Sequence, residues 1–190
     1  MKKLLCFLVV GLFLAVPSLA FSEFDQPWTG NARFMLGGKF LDSTNWTVGT
    51  ADYASQYEIG GLFDIRPRDW PINLAADVLY SWRTRNTVKA GVFELNLGVR
   101  KYFEDDPKLR PYIGGGGAYM KALLDTGLTN LADDDTGFGV WANAGLNYLI
   151  TDRLTIGADF RYTWAKMSIF TLTDINAGGL HAAVTVGLQF

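Results

Sequence analysis

Residues 92–103 read VFELNLGVRKYF. In an extended chain Phe93, Leu95, Leu97, Val99 and Phe103 share one face, while Val92, Glu94, Asn96, Gly98, Arg100 and Tyr102 share the other. That period of two is the mark of a strand with one apolar and one polar side. Working outward, INLAADVLYSWR (72–83) and LTIGADFRYTW (154–164) carry the same alternation, and the sequence as a whole yields eight such segments. They are 31–41, 54–65, 72–83, 91–103, 111–124, 138–150, 154–164 and 179–190. Each is long enough to cross a bilayer at a tilt, which takes roughly 9–11 residues. The fifth is the least defined: PYIGGGGAYMK (111–121) has four consecutive glycines, so its facing is not fixed by pattern and a bulge would fit.

Alternation alone does not say which face meets water. A soluble barrel turns its apolar face inward, whereas a membrane barrel turns it outward and keeps a polar lumen. The aromatics separate the two cases. With the first strand running away from the side that holds both termini, Phe40, Tyr57, Tyr80, Trp82, Phe93, Phe138, Tyr162 and Trp164 fall near one rim of the apolar face. Phe63, Phe103, Tyr148 and Phe190 fall near the other, with Leu, Val, Ile and Ala between. Two aromatic bands around an aliphatic belt are what two membrane–water interfaces select. Trp82, Phe103, Tyr148, Trp164 and Phe190 are the expected interfacial anchors. The links 42–53, 84–90, 125–137 and 165–178 read as longer than 66–71, 104–110 and 151–153, as loops on one side and turns on the other.

The N-terminus reads as an export signal: Lys2 and Lys3, an apolar run from Leu4 to Val16, then Ser18-Leu19-Ala20 as a small-residue cleavage site. The expected organisation is a signal peptide over 1–20 and one barrel domain over 21–190, with Phe21 to Thr29 a lead-in and Trp28 near the interface. Without Lys2 and Lys3 the chain carries 15 basic and 19 acidic residues, a net charge of −4, which gives no support to nucleic-acid binding. Cys6, the one cysteine, lies in the signal, so disulfides are excluded from the remainder.

The fold expected is therefore all-β: an eight-stranded antiparallel up-and-down transmembrane barrel. An even strand number brings the last strand beside the first and leaves no open edge. It also lets Phe190 end the chain in an aromatic band.

A resemblance agrees with this reading. The C-terminal HAAVTVGLQF, with Phe last and apolar residues at alternate positions, resembles the terminal strand of Gram-negative outer-membrane proteins. ELNLGVRKYF (94–103), RPYIGGGGAY (110–119) and NAGLNYLITDRLTIGADFRYTW (143–164) are similar to the small eight-stranded families of OmpA-barrel, OmpX and OmpW type. The resemblance covers the chain beyond the signal. It implies location in the cell outer membrane, contact with its lipids and lipopolysaccharide, and engagement of the barrel-assembly machinery through the terminal strand. A monomer is expected. No peptidoglycan-binding domain is expected after Phe190. The resemblance does not specify an activity.

The inward face holds Arg33, Lys39, Arg83, Arg100 and Arg161 with Glu58, Asp64, Asp77, Glu94 and Asp159. Eight strands leave an interior just wide enough for side chains, so these charges are expected to pair into a network that closes the lumen. The alternative is a narrow porin-like or OmpW-like conduit for small or apolar solutes. Inward glycines (Gly98, Gly145, Gly157, Gly187) either make room for side chains or permit curvature. The pairs themselves cannot be assigned, because the stagger between strands is not readable from one sequence.

Catalysis has little support. His181 is the only histidine, so a metal site built on several imidazoles is excluded, and no catalytic residue, metal ligand or cofactor is assigned. A serine–histidine–acid set would need His181 with Ser81 or Ser168 and an acid such as Asp159. Lipid-modifying outer-membrane enzymes have such groups near the outer rim, but no His and Ser stand two residues apart on one strand here. Asp133-Asp134-Asp135 reads as a solvated acidic loop, or as a site for divalent cations that bridge lipopolysaccharide phosphates. The four glycines 114–117 are no phosphate loop, since no helix start or Lys-Ser/Thr follows them.

Overall fold

A computed structural model describes residues 28–41, 47–48, 51–85, 88–125, 132–169 and 172–190. The expected signal peptide over 1–20 and the lead-in up to residue 27 lie outside these residues. Eight long strands form the wall: β1 (Trp28–Phe40), β2 (Ser55–Pro67), β3 (Asn73–Arg85), β4 (Val88–Tyr102), β5 (Leu109–Asp125), β6 (Ala132–Leu149), β7 (Leu154–Ile169) and β8 (Gly179–Gln189). Every strand pairs antiparallel with its sequence neighbours, and β8 closes on β1 from Asn31↔Gln189 to Phe40↔Leu180. Thr47–Val48 pairs with Ala51–Asp52, and Leu172–Asn176 folds back on β7.

The stagger can be followed pair by pair. From Gly30 the partners on successive strands are Ile65, Leu74, Val99, Gly115, Ala142, Tyr162 and Leu180, and the next step reaches Phe40, ten residues above Gly30. A shear of ten on eight strands goes with the steep tilt of a closed barrel, about 35–45°.

The patterning is inverted with respect to a soluble core. Leu97, Phe160 and Val184 are 56%, 58% and 64% exposed, whereas Arg33, Arg100 and Arg161 are 1%, 0% and 1% exposed. A belt of outward Leu, Val, Ile and Phe of that extent is a lipid-facing surface. Among the described residues no helix is long and apolar enough to cross a membrane; the crossing is made by strands.

Two expectations change. The glycine tract of β5 is regular: its ladders to β4 and β6 run without a register shift. Gly114 and Gly116 face inward and Gly115 and Gly117 face out. A Cβ on Gly116 would meet the Leu97 carbonyl oxygen at 2.1 Å, whereas one on Gly117 would meet nothing. The expected length contrast between links narrows, and rests on 41–54 and 170–178. The 125–137 segment is largely ladder, pairing up to Asp125↔Ala132, so Asp133-Asp134-Asp135 lies in β6 with Asp135 opposite Ala122. Polar sequence does not end a hairpin while the partner strand still offers backbone groups to satisfy. In the same way β3 runs on to Arg85, β4 starts at Val88, and β7 runs on to Ile169.

The turns at the terminal end are side-chain capped. The Asp106 carboxylate accepts from Leu109 N at 2.8 Å and Lys108 N at 2.7 Å, and these bonds hold its pKa below the usual carboxylate range. Thr151 Oγ1 accepts from Leu154 N at 3.0 Å and Arg153 N at 3.3 Å.

Candidate functional site in the barrel lumen

The inward side chains form two polar groups. The lower group, nearer the termini, is built on arginine and aspartate in a chain of alternating sign. Arg33 Nη2 donates to Asp64 at 2.9 Å, Arg100 donates to Asp64 and to Asp77 (2.7 Å), and Arg161 donates to Asp77 at 2.5 Å. Arg161 Nε lies 3.6 Å from Asp159. Neutral groups complete it. Tyr102 donates to Asp64 at 2.5 Å, Tyr112 and Asn143 to Asp159 at 2.8 and 2.7 Å, and Arg33 donates to Asn147 at 3.1 Å.

Aromatic faces finish the solvation of the guanidiniums. Arg161 and Arg100 lie 4.8 and 5.6 Å from the Trp141 ring, and Arg33 lies 4.7 Å from the Tyr112 ring. Such cation–π contacts are worth on the order of 0.5–2 kcal/mol each, more when dry. Two glycines make the room. A Cβ on Gly145 would stand 2.2 Å from the Tyr112 ring, and one on Gly187 would stand 2.5 Å from Arg33 Cγ.

The upper group is built on Lys39, Glu58, Glu94 and His181, all fully buried or nearly so. Lys39 Nζ donates to Glu94 Oε1 at 2.5 Å and to the Ala177 carbonyl at 2.7 Å. His181 Nδ1 is 2.8 Å from Glu58 Oε1. Thr163 Oγ1 lies 3.2 Å from both Glu94 Oε2 and His181 Nε2. One hydroxyl hydrogen cannot serve both acceptors, so Thr163 donates to only one of them. Along β1, β2, β3 and β8 the two groups are separated by an apolar patch of Met35, Leu62, Leu79 and Ala183. Beyond the upper group, Leu41, Tyr53, Ala90, Val92, Met120 and Ala177 belong to an apolar cluster toward the far mouth.

Of the ten charges expected inside, nine are in these groups and Arg83 is not. Arg83 sits on the inward register near the far rim, but it is only half-buried and its guanidinium lies 5.6 Å from the ring of outward-facing Tyr57. At the mouth a cation can reach solvent and a ring face, so it does not enter the dry interior. Asp77, on the same strand, is taken by Arg100 and Arg161. His181 pairs with Glu58 and Thr163 rather than with Asp159, and Ser81 donates to Gln56 at 2.7 Å. The Ser168 side chain lies outside the described residues.

Trp141, Tyr112, Asn143 and Asn147 were not singled out from sequence, although all fall on the inward register. A tryptophan inside a narrow barrel is legible only once Gly98 and Gly116 are known to lie opposite each other beneath it, where Trp141 Nε1 reaches the Leu97 carbonyl at 3.3 Å. The anchors Trp82, Phe103, Tyr148, Trp164 and Phe190 all lie on the outward register. Phe190 exchanges backbone bonds with Gly30 at 2.8 and 3.0 Å and stacks on Phe63 at 6.1 Å.

A closed barrel with an apolar exterior and a charged interior can now be set beside known proteins. The family described as "Outer membrane protein beta-barrel domain" matches residues 6–190. The chain belongs to that family. Its members reside in the outer membrane, and the lipid-facing belt of this chain fits that location. Among curated sequences none matches it. The fold of this family member is similar to Neisserial surface protein A, at 14% identity and a TM-score of 0.63 over 87% of this chain and 98% of that one. It is also similar to Ail of Yersinia pestis, at 11% identity and 0.57 over 87% and 99%. The N-terminal barrel of Pseudomonas aeruginosa OprF matches at 18% identity and 0.51 over 85% and 99%. At these identities the likeness speaks for the fold alone.

Proposed function

We propose that this outer-membrane barrel has a structural or interaction role, with a lumen closed by its own side chains. The observation that carries this reading is the alternating chain Arg33–Asp64–Arg100–Asp77–Arg161–Asp159, drawn from β1, β2, β4, β3 and β7 and almost wholly shielded from solvent. A conduit would leave such groups wet. Toward the termini the lumen opens into a cavity of about 200 Å³ lined by Arg66, Asn73, Tyr102 and Arg110 among others. Planar-bilayer recording tests the proposal. The expected result is no steady conductance from the purified barrel; steady, voltage-independent conductance would replace it with the channel reading.

A lipid-modifying activity is disfavoured by the pairing of His181 with Glu58 and Thr163 in a buried array. Lipid A from cells carrying His181→Ala should have the same mass spectrum as wild type. The chain acts as a monomer held by lipid and lipopolysaccharide around its aromatic bands, after cleavage near Ala20, and the terminal strand serves as its signal to the assembly machinery. Phe190→Asp should accordingly reduce heat-modifiable barrel in membranes more than a matched change at Gln189.

A further inference from the structure

We propose that Glu58, Glu94 and His181 form a binding site for a divalent transition-metal cation, with zinc the best-suited ion. One ligand atom from each residue lies within 4.8 Å of the others, and the three come from β2, β4 and β8, so the site ties three separated strands across the lumen. The residues are 0%, 1% and 0% exposed. A second observation points the same way: among the described residues Glu58 Oε2 is fully buried and has no hydrogen-bond partner. A carboxylate oxygen in that condition is costly, and a cation answers it.

Charge and donor type narrow the ion. Two carboxylates face one ammonium, that of Lys39, so with a neutral imidazole the group carries one uncompensated negative charge. One imidazole with carboxylate oxygens is a zinc-type donor set. Magnesium and calcium require more oxygen ligands than converge here. Ligands at roughly 2.0–2.2 Å around tetrahedral zinc stand about 3.4 Å apart. His181 Nδ1 is 2.8 Å from Glu58 Oε1, and its other nitrogen, Nε2, is 3.7 Å from Glu94 Oε1. One nitrogen takes the ion, so the imidazole and both carboxylates must turn about their own side-chain bonds to draw ligand atoms now within 4.8 Å of one another to that spacing. Glu94 would meet the ion through Oε2, which gives up only bonds of 3.2 and 3.4 Å, while Oε1 stays on Lys39. Lys39, itself fixed on the Ala177 carbonyl, thus orients Glu94. The proposal holds whether or not the lumen conducts.

The test uses the untagged chain folded in detergent micelles, stripped with chelator, and titrated with zinc chloride or magnesium chloride. Calorimetry should give one zinc per barrel and no magnesium response. Because His181 is the only histidine, ¹⁵N-histidine NMR reports this site alone, and one ring nitrogen should shift on zinc addition. Loss of a supporting partner typically weakens a metal site about 10–100-fold, so Glu58→Gln and His181→Ala should each weaken zinc at least about 100-fold. Heat-modifiable mobility checks that the variants are folded. If His181→Ala does not fold, Glu58→Gln and the wild-type resonances decide. Zinc that leaves the His181 resonances unmoved, binding as tight in Glu58→Gln as in wild type, or an equal response to magnesium would each overturn the assignment.

Discussion

The lower half of the lumen sets arginine against aspartate, and the upper half sets lysine and histidine against glutamate. In the lower half three guanidiniums meet three carboxylates, Asp64 and Asp77 are each shared by two arginines, and tyrosine and asparagine supply further bonds. A guanidinium is charged at any pH a cell meets and offers five donors in a planar fork. The upper half sets one permanent cation and one imidazole against two carboxylates; among the described residues, buried carboxylate oxygens without a hydrogen-bond partner occur in both halves, Glu58 Oε2 above and Asp159 Oδ1 below. Both halves exclude water to a similar degree. The difference teaches that burial does not decide whether a polar cluster is a fixed brace or an unfinished site; the balance of fixed charge does.

The comparison implies an order of mutational costs, measurable by urea unfolding in lipid vesicles. Arg100→Ala should cost most, on the order of 3–5 kcal/mol, since it takes one of two arginine partners from Asp64 and from Asp77 at once. Adding Asp77→Asn to Arg161→Ala should cost less than the sum of the two single changes, which would show that they form one unit. Lys39→Met should cost less, about 1–3 kcal/mol, because Glu94 keeps Thr163 and Asn96. Glu58→Gln should cost least, under about 1 kcal/mol, since it removes a charge with one bonded oxygen. If Glu58→Gln proved as damaging as Arg100→Ala, the distinction between brace and unfinished site would collapse.

Much of the architecture was legible in the sequence because strand periodicity is local. Phe93, Leu95, Leu97 and Val99 declare a face without reference to any other strand, and the aromatic bands declare which face meets lipid. What was not legible depends on stagger. His181 lies opposite Lys39 and Arg161, and beside Glu58 and Glu94, only because of the ten-residue offset. No pattern within one strand carries that number. Arg83 differs for a related reason: alternation gives its side of the strand but not its depth, and depth decides whether a cation stays inside or reaches over the rim to Tyr57.

The circuit from Gly30 to Phe40 has a consequence for how such a chain can change over evolutionary time. Both residues point outward, and they must, because alternation around a closed wall matches at the seam only when a full lap advances by an even number. Deleting one residue from any strand would make the lap odd. Every partner beyond the deletion would then turn its charged side to the bilayer, unless a bulge absorbed the slip. Substitution is therefore the tolerated currency within the strands, and length change is confined to the links between them. That accounts for how Neisserial surface protein A can share 14% of its residues with this chain and still match 87% of it in space.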